Sequence, residues 1–268
     1  MAESLKDLFN LEGKVAVVTG GHAWLGNDMA RGLAEFGCSI IITSRELERA
    51  QEAADQIAND YGVEAIGLQL EQKDYDSVQK MADSAYAWKG HIDILINNAG
   101  GGSGKGECDF LKRDPALIKN MIEINLIGSM YCSQAIGRYM AKQRKGSIIN
   151  IGSIAGIVGR DRELYHRTNK MEQPVEYAAS KGGVIGYTRD LAAYMAPYGV
   201  RVNSISPGGF DKGEVREFVE AYGEITPMRR MGQLGRDIKG AALFLASDAS
   251  CYVTGHNLAV DGGFSTCK

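Results

Sequence analysis

Lys14-Val15-Ala16-Val17-Val18-Thr19-Gly20-Gly21-His22-Ala23-Trp24-Leu25-Gly26 decides the fold of this chain. Its first six residues are mostly β-branched and run straight into glycines. That is the pattern of a strand buried on both faces of a parallel sheet. Residues 27–36 are amphipathic with the helical period and close at Gly37. A buried strand that turns through glycines into a helix brings free backbone N–H groups and the positive end of a helix dipole together, which favours an anion.

Outward from this unit the same alternation repeats. Strands are expected at 39–43, 65–70, 92–96, 146–151, 200–205 and 257–260. Helices are expected at 47–61, 77–89, 117–142, 175–198 and 238–247. Regular βα alternation predicts an α/β fold: a three-layer, doubly wound (Rossmann) parallel sheet in a single domain spanning 1–268. No repeat, low-complexity tract or linker interrupts it.

Bulk properties exclude several function classes. The 268 residues are 44% hydrophobic and 24% charged, ordinary for a soluble globular domain. A net charge of −3 offers no basic field for nucleic acid. No apolar run reaches the ~18 residues of a membrane span. Residues 1–10 mix charges without an apolar signal core, so the expected location is cytoplasmic. Cys38, Cys108, Cys132, Cys251 and Cys267 are odd in number and form no CxxC pair, and so read as reduced thiols. His22, His91, His166 and His256 are scattered, and no His/Cys cluster has zinc spacing, so no metal is expected.

Two stretches carry chemistry. The first is the glycine turn, where Gly20, His22, Trp24, Leu25 and Gly26 would surround a dinucleotide pyrophosphate. The second strand ends at Ser44-Arg45 without the acid that usually receives a ribose 2′-hydroxyl. A guanidinium suits a 2′-phosphate, so NADP(H) is favoured and NAD(H) remains open. The second is Tyr177-Ala178-Ala179-Ser180-Lys181, which sets a phenol and an ammonium on one helix face. Opposite charges about 4 Å apart attract by about 4 kcal/mol at an effective dielectric near 20. The phenol would then fall by up to roughly three pKa units from about 10, making it a usable acid or base.

Together these pieces resemble the classical short-chain dehydrogenase/reductases, and the likeness runs over 11–264. It rests on Thr19-Gly20 to Gly26, Asn97-Asn98-Ala99-Gly100, Asn125, Ser153, Tyr177 with Lys181, Pro207-Gly208 and Asp261-Gly262-Gly263. The resemblance implies that Tyr177 is the general acid/base and that Ser153 holds the substrate oxygen. Lys181 would lower the tyrosine and hold the nicotinamide ribose, and Asn125 would shape a water path to it. Asn97, Asn98, Ala99 and Gly100 would line the adenosine side, and the strand running to Pro207 and Gly208 would lead to the nicotinamide.

Three positions depart from the family pattern. Trp24 replaces the middle glycine of the turn and either shields the pyrophosphate, reshapes the turn or packs. Glu71-Gln72 stands where an Asp and an apolar neighbour contact adenine. Lys212 replaces a threonine and either reaches a phosphate or faces water.

The substrate side is unusual as well. Ser153 and Tyr177 lie 24 residues apart, about twice the family spacing. The excess, 159–174, is polar. It offers Arg160, Arg162, Tyr165, His166 and Arg167 as substrate contacts, or else forms a solvated loop or a subunit contact. Residues 209–227 match the family's mobile substrate lid and are also charged. A polar lid points to a small polar substrate: a sugar, sugar acid or polyol, as in gluconate and ketogluconate dehydrogenases. The alternatives are a 3-oxoacyl-acyl-carrier-protein reductase and a nucleotide-binding regulator without turnover. The resemblance also implies a homo-oligomer, tetramer or dimer.

Overall fold

A computed structural model describes residues 4–101 and 106–267. Residues 1–3 of the charged N-terminal stretch and residue 268 of the expected domain lie outside the described residues.

After a short helix α1 (Leu5–Phe9), capped by Ser4, the chain alternates. The strands are β1 (Val15–Thr19), β2 (Ser39–Ser44), β3 (Ala65–Gln69), β4 (Ile94–Asn97), β5 (Gly146–Ile151), β6 (Val200–Pro207) and, near the end, Asn257–Val260. All pair parallel in one seven-stranded sheet, with that last strand beside β6 and the order β3-β2-β1-β4-β5-β6 across the rest. Period-2 alternation divides the strand side chains between two cores. Ala16, Val18, Ile40, Ile42, Ile94 and Ile96 face one, and Val15, Val17, Ile41 and Leu95 the other. Helices α2 (Trp24–Ala34) and α3 (Leu47–Tyr61) cover the first face. Helix α4 (Tyr75–Lys89) covers the second. Burying each Ile or Val contributes about 1.5–3 kcal/mol. Both faces must be covered because the central strands β1, β2 and β4 are buried on both sides.

The structure differs from the sequence expectation in three places. The single helix expected over 117–142 is α5 (Pro115–Ile122), a π-helical turn at Glu123–Ile127 and α6 (Gly128–Gln143). Single π turns inside helices recur at functional sites, and this one carries Asn125. The helix expected over 175–198 is α8 (Val175–Met195) with a 3₁₀ turn after it.

Third, the polar stretch 159–174 is not a plain loop. It contains α7 (Arg162–Arg167), whose first N–H groups are capped by Asp161. The segment matched to a lid contains β7 (Phe210–Asp211) and α9 (Arg216–Glu224), and β7 pairs with β8 (Gly232–Gln233) outside the main sheet. The last helix and strand are α10 (Lys239–Ala246) and β9 (Asn257–Val260). Leu164 from α7 and Phe218 and Tyr222 from α9 bury against Ile154, Met231 and Phe264, a third and smaller core. A six-residue helix is too short to be stable alone, so this contact is what forms it.

Candidate active site

Strand order reverses between β2-β1 and β4, and a crevice opens there at the carboxyl ends of the strands. The loops that follow β1, β2, β4, β5 and β6 line one cleft of about 730 Å³, roofed by α7 and the β7–α9 segment.

The cofactor end is shaped by close backbone approach. A Cβ on Gly26 would lie 2.4 Å from Asn98 Nδ2 and 2.8 Å from the Gly20 carbonyl. Gly26 therefore does not line the cleft; it seats the first turn of α2 against the β4 loop. Asn98 Nδ2 donates to the carbonyls of Thr19 at 3.0 Å and Gly20 at 3.2 Å, tying the two loops together. Helix α2 starts at Ala23 with no side-chain cap, leaving its first N–H groups free. An uncapped helix start beside a turn too tight for a methyl group fits a pyrophosphate.

Trp24 keeps the glycine-like backbone, with φ of 50°. The turn is thus not reshaped, at a cost of about 1–2 kcal/mol for a left-handed L-residue. Nor does the indole pack inward: Trp24 is 53% exposed, and the Lys212 ammonium sits 5.4 Å from its ring centroid. Lys212 stays exposed, and partial desolvation by the cleft wall holds it below the usual lysine range.

Gly20, His22, Leu25, Ser44, Arg45, Glu71, Ala99, Gly100, Pro207 and Gly208 also line the cleft. His22 Nδ1 is buried there without a hydrogen-bond partner. Two expected contacts turn out to be braces. Gln72 is buried and donates to the carbonyls of Ala99 at 3.1 Å and Ile124 at 2.8 Å, holding the π turn. Asn97 turns inward to Ser133 and Asn150 at 2.8 Å each. Arg49 and Lys73 line the cleft near Arg45 and were not singled out from the sequence. Both sit among other charged residues, so pattern alone does not mark them.

Asn125, Ser153, Tyr177 and Lys181 all meet at the cleft floor. Asn125 is buried in the π turn, where its Oδ1 accepts from the Gly101 N–H at 2.9 Å and its Nδ2 donates to the Met121 carbonyl at 3.1 Å. Ser153 Oγ caps the turn after β5 by accepting from the Ala155 N–H at 3.1 Å.

The electrostatics differ from the simple Tyr–Lys reading. Lys181 Nζ donates to the Ile151 carbonyl at 2.7 Å and lies 5.8 Å from the Tyr177 ring centroid. Burial pulls Lys181 down to about 8. Burial likewise pushes the Tyr177 phenol up, while the Ser153 hydrogen bond and the Arg160 guanidinium pull it down. Desolvation disfavours both charged forms, and it is the largest influence on each. Arg160, whose Cζ is 5.7 Å from the Tyr177 ring centroid, is the cation that draws the phenol down.

Within 159–174, Arg160 and Tyr165 line the cleft, and so do Leu164 and Lys170. Arg162 and His166 instead pair with Glu172, and Arg167 with Glu224. Lys170 forms an ion pair with Glu214, joining this stretch to the segment before α9. At the floor's edge Arg113 and Glu176 pair at 2.8 Å with side chains only 2% and 4% exposed. Among the described residues no His, Cys, Asp and Glu group could hold a metal, and no helix is long and apolar enough to cross a membrane.

A family model described as enoyl-(acyl carrier protein) reductase matches residues 22–265. An NADP-dependent mannitol dehydrogenase of Hypocrea jecorina is 36% identical, over 99% of this chain and 97% of that protein. A 3-oxoacyl-(acyl-carrier-protein) reductase of Aquifex aeolicus is 35% identical, over 94% of this chain and 98% of that protein. A gluconate 5-dehydrogenase from Burkholderia cenocepacia, solved with NADP and tartrate, superposes with a TM-score of 0.88. It is 33% identical, covering 98% of this chain and 99% of that one. The reversed sheet order, the glycine turn and these matches make the chain a member of the short-chain dehydrogenase/reductase family, an oxidoreductase of CH–OH groups.

Proposed function

We propose that this protein uses NADP(H) to interconvert a secondary hydroxyl and a ketone on a polar substrate: a sugar, sugar acid or polyol. The observation that carries this reading is the convergence of Tyr177, Ser153, Lys181 and Asn125 under a roof of charged and aromatic side chains. The polyol and sugar-acid names of its relatives agree with it.

The free N–H groups at the start of α2 receive the pyrophosphate, and Arg45 with Arg49 receives a 2′-phosphate. No acid at Ser44 competes, which supports NADP(H) over NAD(H). When bound, the nicotinamide supplies or accepts the hydride. The chain handles the proton. Tyr177 gives its phenolic proton to the substrate oxygen on reduction and takes it back on oxidation. Ser153 donates a hydrogen bond to the same oxygen, stabilising its developing charge. Lys181, with its pKa near 8, is still protonated at pH 7. Beside Tyr177, the Arg160 guanidinium favours the tyrosinate that oxidation needs. Asn125 holds Gly101 and the π turn in place beside it. The roof from 159–174 and 209–227 closes over the substrate. We further propose a cytoplasmic homo-oligomer; exposed Met130 on α6, Tyr194 near the end of α8 and Tyr198 in the turn after it offer an apolar surface for the subunit contact.

The likeness to the Aquifex reductase favours a second reading, reduction of a 3-oxoacyl thioester. The charged roof disfavours a long acyl chain. A panel of hexitols, aldonates, ketoses and a 3-oxoacyl thioester, each with NADP(H) and NAD(H), separates the two by nicotinamide absorbance. Turnover of polar substrates with NADP(H), abolished in Tyr177→Phe, is expected. Turnover of the thioester alone, or activity that survives Tyr177→Phe, overturns the proposal.

A further inference from the structure

We infer that Arg160 is the anchor for a carboxylate on the substrate, so that the substrate is a sugar acid rather than a neutral polyol. The inference rests on the polar-substrate reading above and narrows it.

The charges at the substrate end of the cleft decide the matter. Arg113 is paired with Glu176, and Lys170 with Glu214. Arg160 lines the same space, yet no described carboxylate lies within ion-pair distance of it. Asp161, its neighbour, is occupied as the cap of α7. Arg160 Nη1 donates to the Gln173 carbonyl at 2.8 Å and Nη2 to the Pro174 carbonyl at 3.4 Å. Those bonds fix the side chain but leave its charge unneutralised. A guanidinium carries five N–H donors, so several stay free.

Burial acts against this cation, holding it below its ordinary range. A desolvated charge without a counter-ion is costly, and a ligand carboxylate would remove that cost. The planar fork suits a carboxylate, which it grips with two parallel bonds. Because the guanidinium stands 5.7 Å from the Tyr177 ring centroid, an anion held on it leaves the rest of a short sugar chain at the Tyr177 and Ser153 hydroxyls. A neutral hexitol would leave the guanidinium uncompensated.

Matched pairs test the assignment: gluconate against sorbitol, and galactonate against galactitol, with saturating NADP⁺. Wild type should favour the acid of each pair. Arg160→Gln should lose about 30-fold or more in kcat/KM for the acids, chiefly through KM, whereas the alcohols should show only the smaller loss, in kcat with KM unchanged, that comes from removing a cation beside Tyr177. Arg160→Lys should recover part of the loss. Equal losses for acids and alcohols would instead mean a structural role. A shifted pH profile of kcat with KM for the acids unchanged would mean that Arg160 acts only through Tyr177. Either result overturns the anchor.

Binding is read separately, by calorimetry of gluconate and galactonate on the Tyr177→Phe protein with NADP⁺. If no substrate turns over, the redox reading fails while this measurement still decides the anchor. Binding that Arg160→Gln abolishes supports it. Binding that Arg160→Gln leaves intact, or no binding of either acid, overturns it.

Discussion

At the cofactor end of the cleft a methyl group on Gly26 would collide with Asn98, and the Asn98 side-chain amide locks the turn by donating to two backbone carbonyls. At the substrate end, α7 and α9 meet through a few rings, and the segments flanking them meet through an ion pair between Lys170 and Glu214, whose side chains are 30% and 23% exposed. The first end is defined by how closely backbone can approach backbone. The second is defined by side chains that reach each other across the cleft. Rigid contact suits a ligand whose phosphates and ribose never change. A light roof suits a substrate that must enter and leave at every turnover.

The largest test of this contrast is chemical. Tyr177→Phe should lower turnover by about 10²–10⁴-fold, while NADP(H) affinity, read by fluorescence titration, stays within about twofold. A parallel loss of cofactor binding would show that the two ends are not separable.

Gly26→Ala should be next. Its Cβ meets Asn98 and the Gly20 carbonyl with nowhere to go, so unfolding free energy should fall by about 1–3 kcal/mol. NADP(H) affinity should fall with it, while substrate KM at saturating cofactor holds. A KM that rises as steeply would break the comparison.

Lys181 lies where the two ends meet and gives a pH signature. An unfolded lysine holds its proton up to about 10.5, whereas in the fold Lys181 releases it at about 8. The folded protein therefore binds fewer protons between those values, and this group's contribution to stability rises with pH across the window. Relative to Lys181→Met, the ligand-free wild type should gain up to about 1.4 kcal/mol per pH unit from pH 8 towards 10, read by urea unfolding. A flat difference would show that the ammonium is not desolvated.

The smallest effect belongs to the roof. Lys170→Met or Glu214→Gln should change stability by less than about 1 kcal/mol, because the pair is partly exposed. Substrate KM should nevertheless rise a few-fold, added salt should mimic the change, and the double variant should match either single one. A large drop in melting temperature would mean that the pair holds the fold rather than the roof.

How much was legible beforehand follows the same division. Strands β1 and β5, helix α3 and the final strand were readable because period and glycine stops are local signals. Of the four candidate residues on the cleft floor, Tyr177 and Lys181 were legible from their spacing, and Asn125 and Ser153 only from the family likeness. The π turn was not, because Gln72 must reach across from the loop after β3 to hold the Ile124 carbonyl. Asn97 and Asn98 look alike in sequence, yet one turns into the core and the other braces the turn. Helix α7 escaped notice because a six-residue polar helix has no period long enough to read.

By itself the sequence determined the doubly wound sheet and the place of its glycine turn, and the family likeness pointed to four candidate residues for the site. The strands and the turn depend on residues near one another in the chain, where hydrophobic period and backbone freedom act. Only the tertiary structure decided where charge goes. It turned the Lys181 ammonium to the Ile151 carbonyl, paired Lys170 with Glu214 across 44 positions and left Arg160 unpaired beside Tyr177. Coulomb energies depend on distance and desolvation, and neither is set until distant segments pack.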